Sequence, residues 1–169
     1  DLAGIPVRSS QRGDTLDVPV IIAGGPCACN PEPIADFIDV FQIGEGEEMM
    51  LEFLDLLNES KKNGISRKAF LKKASQIEGI YVPSLYSVSY NDDGTISEIK
   101  AGDGAPSAVN KRVVSDLDKV FYPEKFVVPF VEIVHDRVVH EIFRGCIRGC
   151  RFCQAGHVYR PVRAKSPEL

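Results

Sequence analysis

No apolar run in the 169 residues reaches the eighteen or so that a membrane-spanning helix requires. The opening DLAGIPVRSS lacks the basic-then-apolar order of a secretion signal. A cytoplasmic location without a membrane partner is the expectation. Internal repeats and low-complexity tracts are missing, and 44% hydrophobic residues suffice for one compact domain with a core, so disorder is not expected. Five cysteines, an odd number with three closely spaced, argue against a disulfide framework and for metal or redox chemistry. Acids are absent from residues 144–165, which hold Arg144, Arg148, Arg151, Arg160, Arg163 and Lys165. That stretch is +6 and the remainder −10, so a nucleic-acid footprint over the whole surface is unsupported while a local basic patch stands. The chain begins with Asp and stops at KSPEL, soon after its most chemically loaded segment, and it reads as a piece of a longer polypeptide.

What is present alternates strand and helix. VPVIIAGGP predicts a buried strand, Val18 to Ala23, running into a Gly-Gly-Pro loop. NPEPIADFI predicts a short helix and DVFQIG a second apolar strand. EGEEMMLEFLDLLNES predicts an amphipathic helix with Met49, Met50, Phe53, Leu54 and Leu57 on one stripe. A further helix is expected from Ser66 to Glu78, with Ser66 as N-cap, Ile65 and Phe70 as a hydrophobic staple and Gly79 closing it. This rhythm is that of a doubly wound α/β sheet. Leu85 to Tyr90 and Thr95 to Lys100 flank an Asp-Asp-Gly turn and predict a hairpin. A Gly- and Pro-rich linker follows, and then a strand, Arg137 to Phe143. The expected division is 1–79, 80–134 and 135–169.

RGCIRGCRFCQAGHVYRPVR, Arg144 to Arg163, carries the chemistry. Cys146, Cys150 and Cys153 form C-x3-C-x2-C, and thiolates at such intervals on a loop turned by Gly145 and Gly149 can converge on one metal centre. Three thiolates on a four-iron cluster leave one iron open. His157 follows at x3, so spacing alone leaves a structural Cys3His zinc site, in a non-enzymatic module, as the alternative. Cys27 and Cys29, spaced C-x-C, read as small buried residues. His135 and His140 read as hydrogen-bonded packing residues.

The cysteine spacing, with Phe152 directly before the third thiol, resembles the signature of radical S-adenosylmethionine enzymes. The longer string VHDRVVHEIFRGCIRGCRFCQAGHVYRPVR is similar to their branch with an N-terminal cobalamin-binding-like domain. VPVIIAGGPCACNPEPIADFIDVFQIGEGEE and GIYVPSLY resemble the same family. The resemblance implies an iron–sulfur oxidoreductase whose 4Fe-4S cluster is held by Cys146, Cys150 and Cys153. S-adenosylmethionine would chelate the fourth iron, Phe152 would lie against its adenine, and reductive cleavage would yield a 5′-deoxyadenosyl radical. An electron-donor protein is implied as partner, and the substrate is unspecified. The neighbouring arginines would offset the negative charge of cluster and carboxylate, face solvent, or contact the phosphates of a nucleic-acid substrate.

The same resemblance makes Gly24 and Gly25 a loop lining the nucleotide tail of cobalamin, with Gly44 and Gly46 in the next strand-to-helix loop. D-x-H-x-x-G, which supplies a lower axial ligand in many such domains, occurs nowhere. The expected fold is therefore a partial Rossmann-like domain without a bound corrin. A hairpin linker and the first strand and cluster loop of a truncated barrel would follow. Some 25 residues of barrel are present where a whole one takes on the order of 200, so the piece alone is expected to be inactive, its isolated strand and loop packing irregularly or against a second copy.

Overall fold

Val40, Phe41 and Gln42 are all buried, and their alternation sends neighbouring side chains to opposite faces of a sheet. In the computed structural model, which describes residues 2–102, 104–135, 137 and 139–168, this strand is the centre of a three-stranded sheet. β1 (Ile22–Ala23) pairs with β2 (Val40–Gln42) in parallel, Ile22 opposite Val40. Between them the chain makes 3-10 turns at Pro26–Cys29 and Glu32–Phe37, the second in the segment where a short helix was expected. Prolines at 26, 31 and 33 remove the amide donors that a longer helix needs.

α1 (Gly46–Lys62) follows β2 with Glu47 and Glu48 in its first turn and Lys61 and Lys62 in its last, which suits the helix dipole at both ends. Met49, Phe53 and Ser60 are buried, and Leu56 and Leu57 pack beside them. Leu54, predicted on this stripe, is 42% exposed. α2 (Arg67–Ala74) starts as predicted, the Ser66 hydroxyl accepting from the Ala69 amide at 3.3 Å. It ends four residues earlier than predicted, capped at Ser75, and Gly79 turns the chain into β3 with φ of 90°. β3 (Ile80–Tyr81) is antiparallel to β2, Phe41 opposite Tyr81. The expected doubly wound parallel sheet is thus a mixed one: two helices lie between β2 and β3 where a parallel crossover uses one.

Alternation divides the core. Val40, Ile80 and Val82 pack with Met49, Phe53, Phe70, Leu71 and Ala74, the Phe53 and Phe70 rings meeting edge to face at 5.5 Å. Phe41 and Tyr81 point the other way, to Ala28 and Tyr86. Helices therefore cover one face, and the 3-10 turns and a hairpin cover the other. That hairpin is the predicted one, β4 (Tyr86–Tyr90) against β5 (Ile96–Ala101), with a register shift at Ser89/Tyr90.

The chain divides into two units, Asp1–Val113 and Val114–Leu169. In the second, β6 (Phe143–Arg144) pairs antiparallel with β7 (Arg163–Ala164), and α3 (Ala155–Val158) lies between them. The predicted strand Arg137 to Phe143 is strand only at its last residue, and Val138 lies outside the described residues. Among the described residues there is no closed barrel, and no helix is long and apolar enough to cross a membrane.

Candidate functional site

β6 delivers the chain into the cysteine loop, as the sequence predicted, and β7 takes it away after α3. Two glycines fold this loop back. Gly145 has φ of 104°, and a Cβ there would strike the Tyr159 and Pro161 carbonyls. A Cβ on Gly156, inside α3, would strike the Arg148 carbonyl. The predicted second turn glycine, Gly149, has open space around it, so Gly156 was the residue missed; only the tertiary approach of Arg148 gives it a role.

Cys146, Cys150 and Cys153 carry free thiols, Cys150 exposed and the others half-buried. The Cys153 amide donates to the Cys150 carbonyl at 3.1 Å, a turn that sets those two residues on one bend. The donor chemistry suits an iron–sulfur group: three solvent-reachable thiols, one loop, no disulfide. The geometry does not assemble it, because among the described residues no three His, Cys, Asp or Glu side chains are grouped to hold a metal ion. Phe152 is 92% exposed, so it is not plain core. His157 donates its amide to Gln154 within the turn of α3.

The basic residues fall into different surroundings. Arg144 forms a bidentate pair with Glu141 at 2.7 and 2.9 Å. Arg163 donates to the Val114 carbonyl, and Lys165 Nζ lies 4.7 Å from the Tyr122 ring centre. Tyr122 also meets His140, with the phenol oxygen 2.8 Å from Nδ1, and both line a cleft of about 550 Å³ with Phe143 and Val162. His135 Nδ1 lies 2.8 Å from Arg137 Nη2. Both histidines thus have polar partners, as expected, but both are exposed, which corrects the expectation that they pack in the interior. Tyr122 was missed because it stands 18 residues before His140 with no shared motif.

In the first unit the four candidate glycines gather at the C-terminal edge of the parallel pair. Gly24 and Gly25 follow β1, Gly44 follows β2, and Gly46 opens α1. Gly25 has φ of 90° and open space beside it; Gly24 faces Gln42. Gly44 is exposed, but a Cβ on it would strike the Arg112 backbone. Arg112 runs beside it as an isolated parallel bridge, its amide donating to Ile43 and its carbonyl accepting from Glu45, each at 3.0 Å. The Arg112 guanidinium is anchored on α1 through Glu48 at 2.7 Å and Glu52 at 2.8 Å. Cys27 and Cys29 are exposed, correcting the expectation of burial: in their 3-10 turn it is Ala28 that faces the core.

The site that sequence reasoning missed altogether is structural. Asp39, at the entry to β2, accepts from the Ile21 amide at 2.7 Å and pairs with Arg12 at 2.8 Å and Arg67 at 3.0 Å, all three side chains sealed from water. Tyr81, on the face of the sheet turned away from the helices, donates to Glu32 at 2.5 Å; burial and then the Glu32 carboxylate raise its pKa well above the usual phenol range.

Residues 1–83 match the family described as radical SAM proteins, N-terminal. An uncharacterized protein of Methanocaldococcus jannaschii is 32% identical over 147 residues, covering 85% of this chain and 25% of that protein. The chain thus spans about a quarter of the length of this curated relative. No solved structure matches it. The mixed sheet, the Gly24-Gly25 loop and the 3-10 turns of residues 26–37 all fall in the matched span, so residues 1–83 carry the N-terminal domain found in radical SAM proteins.

Proposed function

We propose that this chain is the N-terminal part of a radical SAM enzyme, followed by its cluster loop, and that Cys146, Cys150 and Cys153 are the cluster ligands. The observation that carries the reading is the match of residues 1–83 to the N-terminal domain of those proteins. The C-x3-C-x2-C loop lies downstream in the same chain, with three free thiols, Cys150 exposed and Cys146 and Cys153 half-buried. When bound, a four-iron cluster on three thiolates supplies one electron to S-adenosylmethionine at its open iron.

The chain's own contribution is to hold and shield. β6 and β7 fix the two ends of the loop, and Gly145 and Gly156 let it fold back on itself. Arg148 and Arg151, between the thiols in sequence, place positive charge where three thiolates would concentrate negative charge. Phe152 presents an exposed ring for an adenine to stack on. The Gly24-Gly25 loop and the substrate are left to the rest of the parent protein, and no cobalamin is required by this reading.

Anaerobic reconstitution with iron and sulfide tests it. Iron and sulfide should bind in cluster stoichiometry, with broad visible absorbance, and any one of Cys146→Ala, Cys150→Ala and Cys153→Ala should abolish it. His157→Ala should retain the cluster. Colourless protein with stoichiometric zinc, lost in His157→Ala, would instead establish the Cys3His site.

A further inference from the structure

Tyr-Ser-Val-Ser-Tyr, residues 86–90, alternates apolar and polar side chains, so β4 puts Tyr86, Val88 and Tyr90 on one face and two serines on the other. Opposite them in β5 stand Ala101, Ile99 and Ile96, which extend the apolar face across the hairpin. That face is only partly covered: Tyr90 is 59% exposed, Ile99 48% and Ile96 44%. Two-stranded hairpins are marginal in water unless such a face packs on something.

The side of this face nearest the 3-10 turns forms a groove of about 540 Å³, within the range that holds a few side chains or a small ligand. Its aromatic wall is Tyr86, Tyr90 and Phe37, and its charged groups are Glu32 and Asp36; no lysine or arginine lines it. Glu32 is held in place by the Tyr81 hydroxyl at 2.5 Å. Asp36 already receives one guanidinium, Arg8 at 3.0 Å, in a pair whose side chains are 57% and 71% exposed. An exposed pair of that kind is weak, so another cation can displace Arg8.

We propose that this groove docks an extended, basic peptide of a partner protein, in which arginines alternate with apolar residues. The apolar side chains fill the space over Val88 and between the tyrosines, and an arginine lies against a tyrosine face while pairing with Asp36. Aromatic faces attract guanidinium ions, and the planar fork matches a carboxylate. A polyanion is repelled by the same two carboxylates.

Fluorescence anisotropy with labelled (Arg-Val)3-amide, against the 169-residue chain, tests the proposal. Saturable binding is expected, weakening as salt rises. Asp36→Lys and Tyr90→Ser, both at exposed positions, should each weaken it at least tenfold while the thermal midpoint is retained, and (Glu-Val)3-amide should not bind. Amide shift changes on titration should centre on residues 86–90. No saturable binding, equal binding of the glutamate peptide, unaltered affinity in both variants, or shift changes confined to other surfaces would overturn it.

Discussion

The Asp39 carboxylate lies 3.0 Å from the Arg67 guanidinium, across 28 residues of chain, with both side chains no more than 3% exposed. Arg67 also donates to the carbonyls of Thr15, Val18 and Pro19, and Arg12 to those of Pro6, Val7 and Phe37. One acid and two cations thereby tie residues 6–19 to β2 and α2. Asp39→Ala leaves two buried cations facing each other without a counter-charge, and a loss of about 3–5 kcal/mol is expected. Urea denaturation of the variant beside the wild type reads it. A change under about 1 kcal/mol would show that water reaches the cluster.

Gly44 predicts a backbone effect. Its φ of 115° and the Arg112 backbone alongside leave no room for a Cβ. Gly44→Ala should lower stability by about 1–3 kcal/mol and detach Arg112 from Ile43 and Glu45. Faster hydrogen exchange at the Arg112 and Glu45 amides is the local readout, and protection equal to wild type would contradict it.

At the start of α2, Ser66→Ala removes the acceptor for the Ala69 amide and should cost about 1 kcal/mol. Ser66→Gly should cost only a few tenths, because glycine keeps the cap conformation and solvent access. Equal losses would mean that the hydroxyl is not the cap. Thermal or urea midpoints of the pair decide it.

Tyr81 sets a pH dependence. Burial, reinforced by Glu32, raises its pKa above the ordinary value of 10.0. The folded chain therefore keeps this proton where the unfolded chain loses it. The associated stability is complete below about pH 10 and declines as pH rises beyond it toward the folded-state value. Glu32→Gln removes the carboxylate and should bring the titration down, toward but not to the unperturbed range, since burial remains. Ultraviolet titration of the phenols reads this. A Tyr81 that titrates with the exposed tyrosines would contradict it.

Regular periodicity made some elements legible. The 3.6-residue stripe of α1, the cap of α2 and the Asp-Asp-Gly hairpin all rest on neighbours in sequence, and they formed, save that Leu54 of the stripe is exposed. Long-range partners made others illegible. Val18 to Ala23 has strand composition, yet the Val18 and Pro19 carbonyls are taken by the Arg67 side chain, and only Ile22 and Ala23 are left to pair with β2. Cys27 and Cys29 look like core residues by type, but a 3-10 turn points the intervening Ala28 inward. Asp39, Arg12 and Arg67 share no motif, and their meeting depends on the whole first unit. In the site, the loop after β6 was readable from C-x3-C-x2-C, whereas Gly156 and Tyr122 acquire their contacts only through folding.

On the proposed function, Cys146, Cys150 and Cys153 would hold a cluster with one iron free for S-adenosylmethionine. Electron paramagnetic resonance of the reconstituted, dithionite-reduced chain, before and after adding S-adenosylmethionine, tests it most directly. The signal of a reduced four-iron cluster whose g-values shift on addition is expected, and no such signal from Cys150→Ala. A signal indifferent to S-adenosylmethionine, or a cluster that survives loss of Cys150, would contradict it.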